Sequence, residues 1–193
     1  MDGINGITGG YSLVVLLSLA YINEEVTPFV EQDLIYTVIM SVLVFCFFNF
    51  RKKARCFAGD VGSVSIAFIL LFLLGKLIIQ TGDFSWIILL SVYGVDSVLT
   101  IFHRLMLHEN IGLPHRKHLY QLMANELRIP HVMVSVIYMV LQFLIVAGLL
   151  WLPVDHWVYF FTVIGGLAVI YIICMYRYYP LHETYLKQQN IIK

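Results

Sequence analysis

The residues able to do chemistry in this 193-residue chain fall into a few short stretches. In "FAGDVGS", residues 57–63, Gly59 and Gly62 flank Asp60, and Ser63 follows where an apolar helix begins. The N-terminus of a helix offers unpaired N–H groups and a partial positive charge to an anion. A carboxylate placed there is also a ligand for Mg2+, which takes one or two carboxylates together with substrate phosphates. Asp60 reads equally as an ordinary helix cap. In "PHRKHLYQL", residues 114–122, His115, Arg116, Lys117 and His118 are four consecutive cationic or hydrogen-bonding side chains. If the stretch is helical, His115 and His118 share a face. Arg116 grips a phosphate bidentately and Lys117 adds a point charge. Five of the seven histidines lie in this one connection, but no Cys is near and the spacing matches no zinc pattern. The same loop also reads as a basic surface against anionic lipid.

Two further features stand apart. The chain opens "MDGINGITGG", with four glycines, Asp2 and Asn5, and no basic residue ahead of the first apolar run. A secretory signal would begin with Lys or Arg ahead of a clean apolar core, and a membrane helix does not normally begin with so much Gly. Asp96, in "YGVDSVLTIFHR", sits inside an apolar stretch. An intramembrane carboxylate is either functional or a buried polar tie between helices.

The elements that hold these residues are membrane helices. The chain is 60% hydrophobic and 12% charged, with a mean hydropathy of +0.84. Soluble domains carry roughly twice that charge, and a soluble core of this size could not hide so many apolar side chains. Five stretches are long enough to span a bilayer: 33–50, 61–79, 84–102, 132–152 and 157–176. A sixth, 10–22, is short and spans only if the glycine-rich opening is drawn into the membrane zone. The expectation is one all-α domain over 1–193, a polytopic membrane protein of six transmembrane helices. Eleven of the twelve Lys and Arg fall in alternate connections and the tail, and only Lys76 lies elsewhere. The other connections carry Glu24, Glu25, Glu31, Asp33, Asp83 and Asp155 and no Lys or Arg. The positive-inside rule then puts the basic loops and both termini in the cytoplasm. Zero net charge argues against nucleic acid as a partner. Cys46, Cys56 and Cys174 are expected to be free thiols.

Taken in order, "MDGINGI", "FAGDVGS", "VDS" shortly before an Arg, and "PHRKHLYQL" resemble the polyprenyl-phosphate sugar-1-phosphate transferases. The resemblance implies an active site on the cytoplasmic face of a bacterial inner membrane. It implies transfer of a sugar-1-phosphate from a UDP-sugar to undecaprenyl phosphate, with release of UMP, Mg2+ (or Mn2+) as cofactor, and a homodimer. It assigns Asp60 to the metal and to catalysis, with His118 as the second catalytic residue. It assigns Asp2, Asn5, His115 and Arg116 to the substrate. Asn5 where many members have Asp, and "HLYQ" where the peptidoglycan enzymes have adjacent histidines, point to surface-polysaccharide synthesis with an N-acetylated hexosamine or deoxyhexosamine donor. The family's paired aspartates have no counterpart here, since no Asp-Asp pair exists in the chain. The expectation is therefore the C-terminal portion of a longer transferase, inactive alone. A non-catalytic membrane subunit and a small transporter using Asp96 are the rival readings.

Overall fold

The structure is a computed structural model that describes residues 3–110, 112 and 116–188, the last seven by backbone alone. All regular elements among the described residues are helical. The first, α1 (Ile7–Tyr21), runs on through a π-helical turn, Ile22–Val26. Then come α2 (Gln32–Asn49), α3 (Gly59–Thr81), α4 (Ser91–Met106), α5 (Leu119–Asn125), α6 (His131–Trp151) and α7 (His156–Gln188). A 3₁₀ segment, Phe84–Leu90, leads into α4. Six of these helical stretches are long and apolar enough to cross a membrane. The six expected segments are all present, shifted by a residue or two at most ends.

The last part of the glycine-rich opening is helical, since α1 takes in Gly9 and Gly10. Together α1 and its π turn make a 20-residue span, so the short sixth segment reaches full length by taking in the glycines. This helix is the hub: it packs mainly on α2 and α6 and is buried on nearly every side. A helix that meets neighbours all round needs small residues where they approach closely. A Cβ on Gly10 would lie 2.5 Å from Met139 Sδ of α6. By contrast α2, α3 and α7 turn Met40, Phe47, Phe68, Phe72, Phe161 and Ile172 outward, the surface of a helix bathed in lipid.

The fourth span is not one regular helix. It changes from 3₁₀ to α at Leu90, inside the apolar span, where freed backbone groups need partners that hydrocarbon cannot supply. Gln142 of α6 provides them: its Nε2 donates to the Ile88 carbonyl at 3.0 Å and its Oε1 accepts the Val92 N–H at 3.2 Å. On the acidic side of the molecule His156 Nδ1 lies 2.9 Å from Asp83 Oδ2, joining the ends of α3 and α7. The three cysteines are free, as expected.

Candidate active site

The N-terminal loop, the α2–α3 loop and the start of α5 come together on the face that carries the basic connections. Asn49, the last residue of α2, ties the first two. Its Oδ1 accepts the Gly6 N–H at 2.8 Å and its Nδ2 donates to the Cys56 carbonyl at 2.8 Å. Gly6 takes φ +88, a left-handed conformation that suits glycine, and turns the loop into α1. Asn5 adds to the same knot: its Nδ2 donates to the Arg51 and Lys52 carbonyls at 3.2 and 3.4 Å. Its backbone N–H lies 3.5 Å from His131 Nδ1, and its carbonyl accepts from Ser135 at 2.9 Å. Gly3 lies against Tyr120 and Gln121 of α5, where an added Cβ would be 2.7 Å from both side chains. Asp2 and His115 lie outside the described residues.

Asp60 stands in the first turn of α3, past the cap position at Ala58, and no side chain caps that helix. The capping alternative therefore gives way: the carboxylate is exposed and complements the helix dipole from within the first turn. Ser63 donates to the Asp60 carbonyl at 3.2 Å. Beside this turn an apolar groove of about 400 Å³ runs between α1, α2 and α3, lined at its upper end by Phe57, Ala58 and Gly62.

The His–Arg stretch departs from the helical expectation. Helix α5 begins only at Leu119, so Arg116 to His118 precede it, and the shared-face geometry does not apply to them. His118 is the α5 N-cap, forming a capping box with Gln121. Its ring stacks on Tyr120 at 5.3 Å, and its Nδ1 lies 3.6 Å from Asp96 Oδ1. Arg116 is exposed. Lys117 is not a free point charge for a phosphate. It is buried, pairs with Glu109 and donates to the Tyr179 hydroxyl of α7 at 3.1 Å. Arg104, also buried, donates to Glu109 at 3.2 Å and to the Asn110 carbonyl at 2.6 Å. One carboxylate thus clamps two cations and closes the loop between α4 and α5. Burial pushes the Glu109 carboxyl up, but the hydrogen bonds from Lys117 and Arg104 outweigh it and hold the group below its ordinary range.

Among the described residues no three His, Cys, Asp or Glu side chains cluster as a metal site. An exposed carboxylate with no other acid or histidine grouped on it among the described residues suits a Mg2+ that arrives on a diphosphate, not one held permanently by the protein. Asp96 is 2% exposed and accepts hydrogen bonds from Thr100, Tyr138 and two α5 amides, which makes it a polar tie. Sequence reasoning passed over Asn49 and Gln142. Gln142 had a signal, as the lone amide in an uninterrupted apolar run, whereas Asn49 looked like ordinary punctuation at a span end.

Residues 1–79 match the family model for glycosyl transferase family 4. The likeness to glycosyl transferase family 4 thus rests on that N-terminal segment. A probable undecaprenyl-phosphate N-acetylglucosaminyl 1-phosphate transferase of Bacillus subtilis (strain 168) is 32% identical over 130 residues. The match covers 64% of this chain and 36% of that relative's length. No solved structure matches the chain. The matched segment contains Asn5, Gly6, Asn49 and Asp60 and ends within α3, while Asp96, His118, His131 and Ser135 lie beyond it.

Proposed function

We propose that this chain forms part of a transferase that moves a sugar-1-phosphate from a UDP-sugar to undecaprenyl phosphate, releasing UMP, at the start of a lipid-linked surface glycan. The observation that carries the reading is the convergence of three motif loops on one face, two of them within the segment that matches the family 4 model. The donor is an N-acetylated hexosamine or deoxyhexosamine. In this reading the basic face is cytoplasmic, the membrane is the bacterial inner membrane, and two copies associate as a homodimer.

The reaction forms a bond from the acceptor phosphate oxygen to the sugar-bearing phosphorus as the pyrophosphate bond breaks and UMP leaves. Such chemistry calls for positioning and charge neutralisation more than covalent work by the protein. Arg116 and His115 bind the donor diphosphate, and His118, at the head of α5, donates to it. Asp2 and Asn5 border the nucleotide. The groove beside α3 takes the isoprenoid chain and brings its phosphate toward Asp60. Asp60 would hold Mg2+, or Mn2+ in its place, which when bound neutralises the diphosphate and the departing UMP. We also propose that the chain by itself does not turn over, because it contains no aspartate pair of the kind that the resemblance calls for.

Equilibrium dialysis of radiolabelled UDP-GlcNAc against the purified chain in nanodiscs tests the reading. Mg2+-dependent binding that UMP displaces is expected, with no UMP formed when undecaprenyl phosphate is added. No binding of any UDP-sugar at saturating Mg2+ would overturn the donor site, and UMP release would overturn the inactivity of the isolated chain.

A further inference from the structure

Asp96 belongs to α4, yet its carboxylate is engaged by two other elements, α5 and α6. Its Oδ1 accepts the N–H of Leu119 at 2.9 Å and its Oδ2 lies 3.4 Å from the N–H of Tyr120, both in the first turn of α5. The Tyr138 hydroxyl of α6 donates to Oδ2 at 2.7 Å, and Thr100 donates to Oδ1 at 3.2 Å. Thr100 in turn meets the Tyr171 hydroxyl of α7 at 2.9 Å. A buried carboxylate held this way has a fixed position, and charge-assisted bonds to backbone N–H groups are among the stronger ones available. The residues just ahead of those two amides are Arg116, Lys117 and His118.

We infer that Asp96 is the positioning residue of the His–Arg loop. It pins the backbone at residues 119 and 120, and so sets where His118 and Arg116 stand against the diphosphate of a UDP-sugar. The inference rests on the reading of that loop as the donor site. Asp96 itself touches no donor; it acts through the α5 backbone.

The test uses the whole chain in nanodiscs, with two readouts: amide hydrogen exchange at Leu119 and Tyr120, and Mg2+-dependent binding of radiolabelled UDP-GlcNAc. In Asp96→Ala, exchange at both amides rises and UDP-GlcNAc affinity falls, each by about tenfold or more, the scale of one charge-assisted hydrogen bond. Exchange in α1 and the outer half of α6 stays as in the wild type. Asp96→Asn restores both to within about threefold, because Oδ1 still accepts from Leu119 while the amide donates to Tyr138. Should the alanine variant not fold, Tyr138→Phe removes one holder and leaves the carboxylate, and a smaller fall in affinity is expected. Unchanged affinity in the alanine or phenylalanine variant would overturn the inference, since a merely structural tie alters exchange alone. An affinity loss that Asp96→Asn does not recover would overturn it as well. A wild-type chain that binds no UDP-GlcNAc would instead sink the donor-site reading, and the role of Asp96 with it.

Discussion

The Tyr11 hydroxyl of α1 donates to Gln142 Oε1 of α6 at 2.6 Å, and both side chains are fully buried. That same amide serves the backbone at the break in the fourth span, so one side chain joins α1 and α6 to the broken helix before α4. Replacing Gln142 by Leu keeps the volume but takes the acceptor from the Val92 N–H and from the Tyr11 hydroxyl proton, and leaves the Ile88 carbonyl with the Ser91 N–H alone. Interhelical hydrogen bonds in membranes are often worth under 1 kcal/mol, because the unfolded helices find other partners. Three groups lost together should still destabilise the protein by about 2 kcal/mol. Reversible unfolding in bicelles measures the difference, with Tyr11→Phe, which removes the Gln142 bond and the longer one from the Tyr93 N–H, as the milder control at about 0.6 kcal/mol.

Gly6→Ala tests the turn that joins the N-terminal loop to α1. At φ +88 an L-residue costs roughly 1–2 kcal/mol in backbone strain. The new Cβ would also lie 2.5 Å from the Phe50 ring, which must swing away. Thermal melting of the purified chain should fall, and donor binding with it, because the Asn49–Gly6 bond is lost along with the turn. Asn49→Leu removes that bond without touching φ and should reproduce most of the binding loss.

Asp60→Asn should separate function from stability. The carboxylate is exposed and the cap of α3 does not depend on it, so stability should change by no more than about 0.5 kcal/mol. Mg2+-dependent UDP-GlcNAc binding should drop by about tenfold or more, since the only change is a hard anionic ligand turned into a weaker neutral one. Paired melting curves and dialysis at several Mg2+ concentrations check both halves of the prediction.

Much of this was legible in the sequence because one solvent dictates it. Long apolar runs must be helices in a bilayer, so the six spans follow from composition and length, and the glycines at residues 9 and 10 are absorbed where α1 meets its neighbours. What the sequence does not reveal depends on who stands opposite whom. Lys117 and Arg116 are adjacent and alike in charge, yet one is buried on Glu109 and the other exposed, a choice made by the fold of the loop. His118 looks like one member of a helical face, but the helix starts a residue later because Asp96, more than twenty positions away, engages its first amides. The 3₁₀ segment before α4 is invisible for the same reason, since its compensation, Gln142, arrives from another span.

The Glu109 clamp gives the loop before α5 a defined pH window. Glu109 is held below its ordinary value of 4.5: burial raises it, and the bonds from Lys117 and Arg104 more than reverse that. A depressed carboxyl contributes stability that is present above its unfolded value and lost as pH falls through the folded one. Lys117 is raised above its ordinary 10.5: burial lowers it, but the bonds to Glu109 and Tyr179 win. A raised amine contributes below its unfolded value and is lost as pH rises through the folded one. The clamp should therefore hold from about pH 5 to pH 10 and open at either extreme. Hydrogen exchange of Asn110, Gly112 and Lys117 against pH, corrected for intrinsic rates, should show protection across that window with an acid limb below 4.5. Glu109→Gln should abolish the acid limb and lower protection throughout, because a neutral amide cannot satisfy two buried cations. Protection that is flat from pH 3 to 7 in the wild type would mean that the loop is held by something other than this ion pair.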